Sequence, residues 1–249
     1  MSPLRAERVA RFREAGIYPV TSEALSAGRS TLEIVEAVIG GGATLLQLRE
    51  KDRSLRELYP LAQTVREMTA RAGVLLMINY HLDLALAVGA DGVHLGQDDL
   101  PLEAARRLAP DLLLGRSTHN REEALRAVEV EGADVINLGP VFSTQTKSTD
   151  AYPPIGVETV RAVRPLVART PVSVMGGIKA EQIATLVAAG ADRVAVVTAI
   201  TAAEDPQAAT RSRDAAVRRA VVGRERADRP DLADRSDSGD CPSGGCWRN

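Results

Sequence analysis

Gly41-Gly-Ala-Thr-Leu-Leu-Gln-Leu-Arg-Glu-Lys-Asp52 holds a glycine turn, a short run that is apolar apart from Gln47, and then a burst of charge. The turn and the run recur. Gly42-Ala-Thr44 precedes Leu45-Leu-Gln-Leu48, and Gly89-Ala-Asp91 precedes Gly92-Val-His-Leu95. Gly132-Ala-Asp134 precedes Val135-Ile-Asn-Leu138, and Gly190-Ala-Asp192 precedes Arg193-Val-Ala-Val-Val197. A helical pattern rich in Ala, Leu, Val and Glu leads into each turn. Glycine can end a helix in the left-handed conformation, and a short apolar run after it reads as a buried strand.

Four more strand candidates interleave with these, at residues 17–20, 74–78, 112–115 and 172–175. The last three follow a helical pattern and a Gly or Pro. Helices are expected over 31–40, 54–72, 81–88, 101–108, 120–131, 156–168 and 180–189. Eight strands alternating with helices argue an α/β fold, a single parallel (β/α)8 TIM barrel. An open doubly wound sheet competes less well. The two-unit repeat is regular, and no Gly-x-Gly-x-x-Gly follows the first strand. Residues 1–16 read as an amphipathic N-terminal helix and 17–222 as the barrel domain, with a closing helix from Pro206. Residues 223–249 are expected to be a disordered polar tail.

Apolar residues make up 45% of the chain and aromatics 3%, so the core is expected to be Ala, Val, Leu and Ile. The formal net charge is -2, with acids and bases interspersed. That balance makes no electrostatic case for nucleic acid or an anionic membrane. No run approaches the ~20 apolar residues of a membrane span. Residues 1–16 lack the apolar core of a signal peptide, so a cytoplasmic protein is expected. Both cysteines, Cys241 and Cys246, lie in the tail, which leaves the body without a disulfide framework or thiol nucleophile. The sequence leaves a homo-oligomer open.

In such a barrel, residues just past the strands build the site. They are Gln47, Arg49 and Lys51; Asn79 and Tyr80; Gln97, Asp98 and Asp99; Ser117, Thr118 and His119; Thr144, Thr146 and Lys147; Gly176-Gly177; and Val197-Thr198. Arg49, Lys51 and Lys147 suit a diphosphate. Asp98 and Asp99 offer carboxylates to Mg²⁺, which takes one or two of them and completes its shell on substrate phosphate. The same pair before Pro101 reads equally as a helix start. His81 and His119 read as helix-start residues, and His94 as a core or rim histidine. Gly176-Gly177 and Val197-Thr198 sit where barrels bind a phosphate on backbone N–H groups. A diphosphate end and a monophosphate end imply two substrates in one mouth. Residues 139–156, with five Ser or Thr and three Pro, read as a lid.

Six motifs carry a resemblance. They are Gln47-Leu-Arg-Glu-Lys51, Ala90-Asp-Gly-Val-His-Leu-Gly-Gln-Asp-Asp99, Ser117-Thr-His-Asn120, Gly139-Pro-Val-Phe-Ser-Thr-Gln-Thr-Lys147, Gly176-Gly-Ile178 and Val194-Ala-Val-Val-Thr-Ala-Ile200. Across residues 18–200 the chain resembles the thiamine-phosphate synthase family, with its TenI-like relatives. The resemblance implies a transferase of thiamine biosynthesis. 4-Amino-5-hydroxymethyl-2-methylpyrimidine diphosphate would lose pyrophosphate dissociatively and condense with thiazole phosphate. It implies that Gln47, Leu48, Arg49, Glu50, Lys51, Asn79, Ser117 and Lys147 hold the pyrimidine diphosphate, with Arg49, Lys51, Ser117 and Lys147 catalytic. It implies Asp99 as a Mg²⁺ ligand, and Thr144, Gln145, Thr146, Gly177, Val197 and Thr198 on the thiazole phosphate. The alternatives are a TenI-like thiazole tautomerase using His119 and a non-catalytic phosphate-binding paralogue. The chain departs from the family's pattern at Tyr80, where an Asp metal ligand is usual, at Ser22, usually Asp, and at Arg116, usually small and apolar.

Overall fold

The computed structural model describes residues 1–144, 153–167 and 169–227, and in it strand and helix alternate as the turns predict. The strands are β1 (Ile17–Pro19), β2 (Leu45–Leu48), β3 (Leu75–Asn79), β4 (Gly92–Leu95), β5 (Leu113–Thr118), β6 (Val135–Leu138), β7 (Val172–Met175) and β8 (Arg193–Val196). The helices are α1 (Pro3–Glu14), α2 (Thr31–Gly40), α3 (Leu55–Arg71), α4 (Leu82–Ala87), α5 (Leu102–Leu108), α6 (Arg121–Glu129), α7 (Gly156–Val163), α8 (Ile183–Ala188), α9 (Thr198–Thr201) and α10 (Pro206–Ala227). Pairing is parallel in the order β1-β8-β7-β6-β5-β4-β3-β2, and a bridge from Val20 to Gln47 brings the two ends together as a barrel. Three elements differ notably from expectation. β5 runs on to Thr118, so Ser117 and Thr118 are strand residues. The helix expected over 156–168 ends at Val163 and gives way to a 3-10 turn containing Pro165, a residue that cannot donate to a helical ladder. α10 continues to Ala227, five residues into the expected tail; the rest of the tail lies outside the described residues.

The glycine turns end their helices alike. Gly42, Gly89 and Gly190 have φ of 87°, 64° and 113°. In each, the glycine N–H and the next N–H fold back onto the last helical turn, as Gly42 to Ile39 O and Ala43 to Val38 O do after α2. The residue after Ala then ties two strands together. Asp91 accepts the Leu76 N–H of β3 at 2.9 Å and Arg66 of α3 at 2.9 Å. Asp134 accepts Leu114 N–H and Arg106 at 2.9 and 2.5 Å, and Asp192 accepts Val172 N–H and Arg164 at 2.9 and 2.7 Å. The other oxygen of each meets an arginine from a terminal helix: Arg8, Arg5 and Arg224. In the fourth turn Thr44 replaces Asp. There Asp214 of α10 takes the equivalent strand N–H, that of Ile17, at 3.0 Å, and pairs with Arg218 at 2.6 Å. Gly16 leaves room for it, because any Cβ there would collide with the Asp214 carboxylate.

Side chains alternate along each strand. Leu46, Leu48, Ile78, Val93, Leu95, Ile136 and Val174 face the helices. Tyr18, Val20, Leu45, Leu75, Met77, Leu113 and Val135 pack with Phe12 of α1, which closes the N-terminal end of the barrel. At that end buried Arg193 donates to Phe12 O at 3.1 Å, and burial pulls its pKa down to about 10. The β1–β2 junction is thin. Along that edge the Ile17 N–H goes to Asp214, Pro19 has no N–H, and the pairing is one isolated bridge, Val20 to Gln47, where the Thr21 N–H donates to Gln47 O at 2.9 Å.

Candidate active site

A cavity of about 760 Å³ opens at the C-terminal ends of the strands. Of the expected residues, Arg49, Ser117, Thr118, His119, Thr144, Gly176, Gly177, Val197 and Thr198 line it. Arg49 follows β2 in the inward register of Leu45 and Gln47, and its N–H is held by Thr21 Oγ1 at 3.0 Å. It is 9% exposed, and among the described residues no hydrogen bond or ion pair occupies its guanidinium. A buried cation without a carboxylate partner is costly, so this one is set for an anion. Ser117 faces the mouth from β5, its hydroxyl 3.0 Å from His94 Nε2. Gly115, one inward position below, leaves the space that His94 fills.

The opposite wall is backbone. Gly176 and Gly177 have φ of 104° and 62°, which excludes most other residues. A Cβ on either would also strike the loop after β6, at Pro140 and at Ser143. That loop pairs with β7 through Val141 N–H to Met175 O at 2.8 Å and Phe142 N–H to Gly176 O at 3.0 Å. Beside it, Val197 and Thr198 open the short α9. Strand ends seven and eight with a short extra helix are a recurrent phosphate cradle.

The remaining expected residues are placed otherwise. Gln47 sits deeper, donating to Tyr18 Oη at 2.7 Å, and burial pushes the Tyr18 phenol up against that bond. Leu48 faces the helix layer. Glu50, one step out of register with Arg49, points away from the mouth: it accepts Glu23 N–H at 2.8 Å and the Thr31 hydroxyl at 2.9 Å, tying the loop after β1 to α2. Lys51 is exposed at the rim, 5.8 Å from the centre of the Tyr80 ring. Asn79 is buried, and its Nδ2 has no hydrogen-bond partner among the described residues. Gln145, Thr146 and Lys147 lie outside the described residues, as does the middle of the expected lid, residues 145–152. His119 lines the cavity with Nδ1 2.9 Å from Glu123, and Asn120 caps α6. The cavity also takes in Asn137, a residue inside strand β6 that is not among those expected just past the strands. Its signal was register: with Leu138 facing the helices, Asn137 must face inward.

Asp99 does not start a helix. Pro101 occupies the cap of α5, and Asp99 Oδ2 accepts the Gly96 N–H at 2.6 Å. Tyr80 packs beside Gly96, with backbone φ of 66°. Among the described residues no three His, Cys, Asp or Glu converge as a metal cage. A hard oxygen donor on the rim, Asp99, fits a Mg²⁺ that arrives on a diphosphate and completes its shell there.

The fold and this mouth define a barrel enzyme built around phosphate groups. The family model described as thiamine monophosphate synthase matches residues 17–200, and the chain belongs to that family. It is 48% identical over 203 residues to the thiamine-phosphate synthase of Chloroflexus aurantiacus, covering 82% of this chain and 93% of that one. It is 50% identical over 207 residues to the thiamine-phosphate synthase of Haloquadratum walsbyi, covering 82% and 92%. The solved structure of thiamine phosphate pyrophosphorylase from Pyrococcus furiosus superposes with a TM-score of 0.77 at 35% identity, covering 85% of this chain and 99% of that one.

Proposed function

We propose that this barrel is a thiamine-phosphate synthase that joins 4-amino-5-hydroxymethyl-2-methylpyrimidine diphosphate to thiazole phosphate with release of pyrophosphate. The observation that carries the reading is Arg49: a buried guanidinium, open to the cavity and unmatched by any carboxylate among the described residues, facing a backbone cradle on the other wall. One wall holds a leaving diphosphate and the other a monophosphate.

The aminopyrimidine donates electrons to its exocyclic methylene, so the C–O bond to the diphosphate breaks first, the bonding pair leaves with pyrophosphate, and the thiazole nitrogen then attacks the stabilised cation at that carbon. Arg49 and Lys51 receive the charge that develops on the leaving oxygen. Lys147, in the Thr-rich loop, belongs with them. Ser117, held by His94, orients the pyrimidine. Gly177, Val197 and Thr198 bind the thiazole phosphate and set its nitrogen within reach of the methylene carbon. A Mg²⁺ held by Asp99 would add charge neutralisation on the diphosphate. The closed floor and apolar barrel interior keep water from the electrophilic carbon.

Purified protein given both substrates and Mg²⁺ should release pyrophosphate and form thiamine phosphate. Arg49→Ala should lower kcat/KM by roughly 10²–10³-fold, as loss of a transition-state charge contact does. Turnover unchanged in Arg49→Ala would remove the basis for the reading.

A further inference from the structure

Arg116 is the unexpected charge in this barrel. It stands on β5 between Gly115 and Ser117, in the register that faces the helix layer, and is 5% exposed. Its Nη1 donates to Gly96 O at 2.6 Å. Its Nε lies 3.0 Å from Glu131 Oε2, close enough for an ion pair but not aligned as a hydrogen bond. Glu131 Oε1 meets Arg126 Nε at 3.0 Å, Arg126 Nη2 donates to Gln97 Oε1 at 2.9 Å, and Gln97 Nε2 donates to Ser117 O at 2.6 Å. The contacts form a closed ring. It grips the neighbours Gly96 and Gln97 on one side and the neighbours Arg116 and Ser117 on the other.

Burying a guanidinium among apolar side chains costs stability that a hydrophobic residue would not. The groups at the ends of the ring indicate what it secures. Both backbone groups of Gly96 are fixed, its carbonyl by Arg116 and its N–H by Asp99 Oδ2. Ser117 is fixed through its carbonyl. We propose that the Arg116–Glu131–Arg126–Gln97 ring is a positioning device that sets Asp99 against Ser117, and so tunes the affinity for a metal-bearing diphosphate. Arg116 acts through the loop and touches no substrate. The proposal rests on the assignment of Asp99 and Ser117 to the diphosphate wall.

The test compares Arg116→Met, which keeps the packing, and Arg116→Lys, which keeps the Gly96 contact, with wild type. The readouts are KM for each substrate and calorimetric binding of Mg²⁺ with inorganic pyrophosphate. Arg116→Met should raise KM for the pyrimidine diphosphate and weaken Mg²⁺–pyrophosphate binding about tenfold, as loss of an outer partner does at other metal sites. KM for thiazole phosphate, bound on the far wall, should stay within about twofold. Arg116→Lys should fall between. Should Arg116→Met fail to fold, Arg126→Gln breaks the ring at its exposed corner and should show the same selective shift. A lower melting temperature with unchanged binding, or equal loss for both substrates, overturns the proposal. Asp99→Asn separates the two levels. If it leaves Mg²⁺–pyrophosphate binding intact, the site assignment fails and this proposal with it. If it weakens binding while the ring variants do not, only the positioning role fails.

Discussion

At the scale of single residues, one run of sequence divides its side chains between tasks by register alone. Arg49 turns into the mouth, and Glu50, its neighbour, turns out to bind Glu23 N–H and Thr31. A motif read as one anion site is thus half site and half brace. The brace has a pH signature. The Glu23 carboxyl is held below its ordinary value of 4.5, first by the Thr31 N–H, then by the Thr31 hydroxyl, with Arg53 adding to the effect and burial opposing it. A carboxyl depressed in the folded state stabilises above its unfolded pKa and loses that contribution as pH falls through the folded one. Glu23→Gln should therefore melt below wild type at pH 7, and the gap should narrow as pH drops below 4.5; a gap that stays constant with pH would assign the difference to shape instead of charge. Asp99 and Asn137 were harder to read. The first looked equally like a helix start, because Asp before Pro commonly is one. The second lies inside a strand, where only register exposes it.

At the scale of elements, the four glycine turns made the barrel legible, because each reports a helix end and a strand start together. The sequence did not reveal why one of them carries Thr44 where the others carry Asp. The partner, Asp214, lies 170 residues away on a helix whose own pattern gives no sign of it. Asp214→Ala leaves the buried Ile17 N–H unmatched and Arg218 without its carboxylate, and should cost about 1–3 kcal/mol in chemical denaturation. Adding Thr44→Asp should recover part of that loss by restoring the local pattern of Asp91, Asp134 and Asp192. No recovery would mean that the fourth turn differs in backbone as well as in side chain. The early end of α7 at Val163 was similarly hidden, since Pro165 was read as inside a helix instead of as its limit.

At the scale of the whole molecule, charge is sorted by end. At the N-terminal end arginines are matched to Asp91, Asp134, Asp192 and Asp214, and are consumed by structure. At the mouth Arg49 has no carboxylate partner among the described residues and is available to a ligand. The balanced overall charge of -2 conceals this division. The thin junction between β1 and β2 has a further consequence. Seven strand pairs share the ladder, while the eighth is one isolated bridge, Val20 to Gln47, closed in part by the Thr21 N–H, and Thr21 also fastens Arg49 through its hydroxyl. When the barrel breathes, it should part first along that line, and deuterium should enter the Thr21 amide well before the amides between β5 and β6. The same opening frees Arg49. A diphosphate that engages Arg49 would then act as a latch on the barrel itself, slowing exchange at Thr21 without touching it.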